Sequence, residues 1–173
     1  MRYRVLVVLV GLAVSLGVMS RPSSAYTLEE YTSGLWTVYA WADSSTGRFD
    51  YCGMETTFTD GSSLIVAVFG DGIEVWATDP AWRLPPGYRT SATVRIDNRY
   101  NSVKPALESG HDRLEILFGW DTAFWRAFRL GNNLNLSMPG LTPFPTSLRG
   151  TNHASDALLV CWDVYGSGYN PLR

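Results

Sequence analysis

The sequence predicts a mainly β protein: a single antiparallel β-sandwich or small barrel with two short helices packed on it. Short runs rich in β-branched and aromatic residues recur along the chain. Turn residues such as Asp60-Gly61 and Gly131-Asn132 separate these runs at intervals of about 8 to 12 residues. No long helical insertion interrupts them, as would be needed to connect parallel strands. These three observations together favour an antiparallel sheet that curls on itself.

The first element is a predicted signal peptide over residues 1–25. Arg2 and Arg4 precede an uncharged stretch at 5–19, which as a helix would reach roughly 22 Å, short of the roughly 30 Å hydrocarbon core of a bilayer. Small residues end the segment, so we expect cleavage between Ala25 and Tyr26. A short uncleaved anchor is the alternative. Residues 26–173 are then a single β-rich domain, periplasmic or secreted, with no integral membrane span after cleavage.

Seven strands are predicted in the mature chain, at 36–42, 51–59, 64–69, 73–78, 90–97, 113–118 and 134–138. Two of them show the alternation of a half-buried strand most clearly. In one, Ala92, Val94 and Ile96 alternate with polar residues; in the other, Leu114 and Ile116 alternate with charged residues.

Two segments carry helical signals instead. Asp121 can cap a helix that ends at Gly131 and places three aromatic residues on one side. The final helix is predicted to begin near Thr151, which can act as its N-terminal cap. Its predicted buried stripe follows helical spacing and consists of Ala154, Ala157, Leu158 and Cys161.

The two cysteines, Cys52 and Cys161, are predicted to form a disulfide. Cys52 shares a strand face with Met54, the likelier core face, and Cys161 lies on the buried stripe of the final helix. An even cysteine count in an exported chain is typical of a bridge, because oxidising compartments let disulfides persist. Two buried free thiols or a redox-active pair are the alternatives, but no Cys-x-x-Cys motif is present.

Charge limits the partners. Removal of the leader leaves 11 basic and 16 acidic residues and a net charge of about −5. Nucleic acids and anionic lipids both favour a basic surface, so nucleic acid is excluded as the main partner. A protein or glycan of the cell envelope remains as the expected partner.

Aromatic residues suggest a binding surface. The chain has seven tryptophans and nine tyrosines. Tyr39 and Trp41 share one face of their predicted strand, and Trp76 lies on the polar face of another. If these faces are exposed, their rings would suit stacking on sugars or burial of a partner's anchor residues. The alternative is that a second sheet or the Asp121 helix covers them.

No catalytic, metal or cofactor site is predicted. His153, Ser155 and Asp156 have the residue types of a hydrolase triad, but they lie too close along one helix to form its line of groups. His111 lies in a polar turn, with too few other ligands for a metal site. Catalysis would need a site assembled from dispersed carboxylates.

One resemblance is carried by the order of several segments: "WRLPPGYRTSATVRIDN", an aromatic helix, "LNLSMPG" and "SLRGTNHASDALLVC", which span residues 82–161. This order resembles small exported alphaproteobacterial proteins similar to the invasion-associated locus B family. The resemblance implies a periplasmic β-rich domain without a known reaction. We therefore expect a non-catalytic exported binding or envelope-associated β module with one disulfide; a periplasmic hydrolase with a site of dispersed carboxylates is the alternative.

Overall fold

A computed structural model describes residues 26–166 and residue 172. In this part of the chain, ten strands form one antiparallel sheet that is not closed, and two helices pack on it. The strands are β1 (Tyr26–Ser33), β2 (Trp36–Ala42), β3 (Phe49–Thr57), β4 (Ser63–Phe69), β5 (Gly72–Thr78), β6 (Arg89–Ile96), β7 (Tyr100–Gly110), β8 (Arg113–Gly119), β9 (Asn133–Ser137) and β10 (Phe144–Ser147). Their order across the sheet is β1-β2-β3-β4-β5-β8-β7-β6-β9-β10.

The mainly β class with two packed helices is confirmed. Each of the seven predicted strands corresponds to a strand of the sheet, and β1, β7 and β10 were not predicted. β7 lacks a regular apolar alternation and contains Pro105, whereas β10 has only four residues and contains Pro145. Both strands are joined by short loops to strands that they pair with, but this backbone pairing leaves no apolar pattern in their own side chains.

One face of the sheet, the inner face, holds the main core. Alternate residues of each strand point into it, as the period of a strand requires. On β2 these are Trp36 and Val38, and on β8 they are Leu114 and Ile116. The core continues to the other end of the sheet, where Phe144 of β10 packs near Phe58, which follows β3. The two ends of the open sheet therefore bury a common interior.

Helix α1 (Thr122–Leu130) is capped as predicted. The Asp121 carboxylate accepts a hydrogen bond from the Phe124 backbone N–H at 2.8 Å and one from the Lys104 ammonium at 2.7 Å. Burial of this carboxyl group alone would raise its pKa, but the hydrogen bonds from Lys104, Phe124 and Tyr100 hold the pKa below its usual value. Asp121 thus both starts the helix and ties it to β7.

Helix α2 (Thr151–Tyr165) lies on β2 and β3 and also contacts α1. The expected cap is wrong: Gly150 precedes the helix in the left-handed region, with φ at 91°, and Thr151 is its first residue. The Thr151 hydroxyl donates instead toward the carbonyl oxygens of Phe128 and Leu148. The hydrogen bond to Phe128 links the start of α2 to α1. Neither α1 nor α2 is long and apolar enough to cross a membrane.

The buried face of α2 is wider than the predicted stripe. Ala154 and Leu158 are fully buried, whereas Ala157 and Cys161 are partly buried. Ser155 is buried too, because α2 packs against α1 as well as against the sheet. Ser155 therefore does not lie on a solvated face of α2, unlike its neighbours His153 and Asp156.

A disulfide joins Cys52 of β3 to Cys161 of α2. Cys52 is fully buried in the core, and the Cys161 Sγ lies 3.7 Å from the carbonyl oxygen of Tyr39 on β2. The bridge spans 109 positions of sequence. It fixes α2 against β2 and β3.

Candidate functional site

The opposite face of the sheet, the outer face, carries a separate aromatic cluster on β2 to β5. Strand alternation explains its position: Tyr51 points outward because its neighbour Cys52 points into the core. Both helices pack on the inner face, and within residues 26–166 no helix contributes to the outer cluster. We call this group of rings the aromatic face; its members are Tyr39, Trp41, Tyr51, Phe69 and Trp76.

Tyr51 is the centre of the aromatic face. Its ring is stacked on Trp41 with 6.0 Å between ring centroids, and it meets Trp76 edge-on at 5.3 Å. Phe69 lies 5.0 Å away and Tyr39 lies 6.2 Å away. Tyr51 itself is 6% exposed, so the surrounding rings bury it and leave Trp41 and Trp76 partly exposed. The result is a fixed platform whose two indoles face outward.

Gly53 allows Tyr39 to lie flat on the sheet. The two residues are direct partners on β3 and β2. A Cβ atom at position 53 would lie 2.7 Å from Cε2 of the Tyr39 ring, which is far inside van der Waals contact. The absence of a side chain at Gly53 therefore sets the position of Tyr39, which contacts both Trp41 and Tyr51.

Polar groups surround the rings and form, with them, a depression of about 650 Å³. Glu55 lies on β3 in register with Ile65 of β4, which in turn pairs with Trp76 of β5. The Arg113 guanidinium of β8 lies 6.0 Å from the centre of the Trp76 ring, within the range of a cation–π contact. The edge of the depression is completed by Thr27, Glu30, Leu35, Thr37 and Thr57.

Two carboxyl groups on this face have raised pKa values. Burial raises the pKa of Glu55, and Arg113 opposes that effect only in part. Burial also raises the pKa of Glu74, although the Trp76 indole N–H donates a hydrogen bond of 2.8 Å to it. Glu74 is thus occupied in orienting Trp76. The Glu55 carboxylate accepts no hydrogen bond from the described residues.

The two tyrosine hydroxyls stay protonated. Burial raises the pKa of Tyr51 to about 12 and raises that of Tyr39 still further. Both hydroxyl groups are therefore neutral over the physiological range and can donate hydrogen bonds. Glu30, Glu55 and Arg113 are the charged residues that line the depression, and Glu74 lies beside it, hydrogen-bonded to Trp76.

The structure brings the three predicted surface residues together. Tyr39, Trp41 and Trp76 belong to one cluster, with Tyr39 largely buried beneath its neighbours. Sequence reasoning did not single out Tyr51 or Glu55, although alternation within β3 places both on the face away from Cys52. The missing information was the register that sets β3 between β2 and β4.

Other candidate sites are not assembled. In residues 26–166 and 172, no three His, Cys, Asp or Glu side chains are grouped to hold a metal ion. Asp156 forms an ion pair with Arg129 of α1, while Ser155 is buried on another side of the helix from the exposed His153.

A groove of about 810 Å³, larger than the depression on the aromatic face, runs between α2 and the β1–β2 hairpin. It is bordered by the exposed apolar residues Tyr31, Val160 and Val164.

Over residues 26–166, the fold and the site define a class: an open, ten-stranded antiparallel β module with two helices and one disulfide. No family model matches the chain, and no curated protein matches it. Among solved structures, the fold is similar to that of invasion associated protein B from Bartonella henselae, with a TM-score of 0.56 and 20% sequence identity. The match covers 79% of this chain and 98% of that chain. The resemblance inferred from the sequence is thereby confirmed at the level of the fold.

The predicted signal peptide and the cleavage site after Ala25 lie outside the described residues. Tyr26, the expected first residue of the mature chain, begins β1.

Proposed function

We propose that this protein is an exported, non-catalytic binding module that contacts a protein or glycan of the cell envelope through its aromatic face. The observation that carries the proposal is the separation of the two sheet faces. The inner face buries the core and both helices, whereas the outer face carries five clustered aromatic rings. Rings clustered outside a completed core are typical of a recognition surface.

The construction of the surface supports binding. Tyr51 on the outer face adjoins Cys52 on the inner face, and the disulfide holds Cys52 to α2. A ligand would therefore meet rings whose supporting strand is already fixed, which lowers the entropic cost of association. The disulfide and the predicted leader also support an extracytoplasmic location.

Site-specific photocrosslinking in the native envelope tests the proposal. A photoreactive amino acid replaces Trp41 or Trp76, and a third variant carries it at Leu130, which is 50% exposed at the end of α1 on the inner side of the sheet. We expect positions 41 and 76 to capture the same molecule and position 130 not to capture it. Absence of a shared product from 41 and 76, or equal capture at 130, would contradict the proposal.

The alternative is a periplasmic hydrolase. The raised pKa values of Glu55 and Glu74 favour it, because burial commonly raises the pKa of a catalytic acid. The two residues lie two strands and two positions apart, so their Cα atoms are roughly 12 Å apart by strand spacing. Glu74 also holds the Trp76 indole. These features favour binding. Glycoside cleavage that disappears in both Glu55→Gln and Glu74→Gln would establish the hydrolase instead.

A further inference from the structure

The depression on the aromatic face combines flat apolar surfaces with hydrogen-bonding groups of both polarities. Trp41 and Trp76 lie on two sides of Tyr51, at centroid distances of 6.0 and 5.3 Å from it. The two indoles are therefore no more than about 11 Å apart, a span that a short oligosaccharide covers. Stacking surfaces at this spacing can hold successive rings of one ligand.

Glu55 is a half-buried polar group of the depression that receives no hydrogen bond from the part of the chain that the structure describes. Its carboxylate lies beside the rings. Leaving such a group unpaired in a partly desolvated position costs free energy, which a ligand with O–H donors would recover. A pair of neighbouring sugar hydroxyls provides donors that one carboxylate can accept together.

Arg113 supplies the opposite polarity on the far side of Trp76. Its Nε–H lies 3.4 Å from the Thr78 hydroxyl oxygen, and its guanidinium lies over the Trp76 ring. The remaining guanidinium N–H groups can donate to hydroxyl or ring oxygens of a ligand. An apolar ligand would desolvate Glu55 and Arg113 without compensation, and a strongly charged ligand would meet a like charge at one of them.

We propose that the depression binds a neutral oligosaccharide of pyranose units, which stacks on Trp41 and Trp76 and donates hydroxyl hydrogen bonds to Glu55. This inference rests on the proposed binding function and specifies its ligand class. An anionic ligand would meet Glu30 and Glu55 and a cationic ligand would meet Arg113, so the rim fits a neutral ligand that has both donors and acceptors. Apolar ring faces and polar edges in one molecule match the alternation of indoles and charged groups.

Calorimetric titration of the mature, disulfide-bonded protein with cellotetraose, xylotetraose, maltotetraose and tetra-N-acetylchitotetraose tests this inference. We expect at least one of these tetrasaccharides to bind with a Kd below about 1 mM. Glu55→Gln and Trp41→Ala should each raise that Kd by about tenfold or more. Circular dichroism and thermal unfolding verify that each variant is folded, and the conservative Glu55→Gln keeps the test valid if Trp41→Ala is unstable.

Two matched variants serve as controls. Trp120→Phe alters a partly buried indole on the inner side, where it packs near Trp162, and Asp71→Asn alters an exposed carboxylate in the β4–β5 turn. Both should leave the Kd unchanged. Binding that is unaffected by Glu55→Gln, or equally weakened by the controls, would overturn the inference.

The outcomes also separate this inference from the proposed function. If none of the four tetrasaccharides binds but photocrosslinks at positions 41 and 76 capture one protein, the glycan ligand is wrong and the binding face stands. If neither tetrasaccharides nor crosslinks give a product, both proposals are wrong.

Discussion

Removal of the Cys52–Cys161 disulfide should destabilise the protein strongly without changing its fold. The bridge closes a loop with a sequence separation of 109, for which the chain-entropy model gives roughly 4.8 kcal/mol at 25 °C. The unfolding entropy of a folded body of roughly 150 residues is about 0.3 kcal/mol/K, so this loss corresponds to a fall in Tm of about 15 °C. The core contacts of α2 through Ala154 and Leu158 remain, so the reduced protein should still fold.

The assay is thermal unfolding followed by circular dichroism, with protein that has been reduced under denaturing conditions and refolded in reductant. The Cys52→Ala/Cys161→Ala double variant should show a similar fall in Tm, and reductant should not affect this variant further. A Tm within about 3 °C of the oxidised protein in both experiments would refute the reasoning, since even an attenuated bridge should contribute more than that.

Gly53→Ala should lower the free energy of unfolding, measured in urea, by about 1–3 kcal/mol, because the new Cβ would lie 2.7 Å from the Tyr39 ring. Gly70→Ala is the control, since a Cβ at position 70 would have no atom within 4 Å. Equal effects of the two substitutions would contradict a steric role of Gly53. Asp121→Ala should lower the free energy of unfolding by about 1–2 kcal/mol through loss of the α1 cap, and an unchanged denaturation midpoint would show that the cap contributes nothing. Burial raises the pKa of Glu55 above its ordinary value of 4.5, so the folded protein holds this proton more tightly than the unfolded chain does, and stability should fall as pH rises from 4.5 through the raised pKa. Between about pH 4 and pH 7, urea unfolding of Glu55→Gln should therefore show a smaller decline than the wild type, and parallel profiles would rule out this effect.

Local signals predicted the elements that depend on local chemistry. Asp121 begins α1 because its side chain accepts a hydrogen bond from a backbone N–H only three residues later. Gly131 directly follows the last residue of the helix. The inward direction of Cys52 follows from its alternation with Tyr51. By contrast, β7 contains Pro105 and mixed side chains, and it is a strand because β6 and β8 pair with it on both sides.

The candidate site was predicted only in part, for a related reason. Alternation placed Tyr39, Trp41 and Trp76 on faces of separate strands, but the sequence does not give the register between strands. That register places Tyr51 among them and sets Tyr39 across from Gly53. The steric reason for a glycine at position 53 can be seen only when the Tyr39 ring is known to lie against it.

Binding of a ligand to the outer face is tested most directly by the NMR signals of the tryptophan indole N–H groups. The protein has seven tryptophans; Trp41 and Trp76 lie on the outer face, and the others lie on the inner side. In nitrogen–proton NMR spectra recorded during titration with the four tetrasaccharides, the account predicts that the Trp41 and Trp76 indole signals shift and that the inner signals, such as those of Trp36 and Trp162, stay in place. Shifts confined to the inner indoles, or no shift of Trp41 and Trp76 with any of the four, would contradict it.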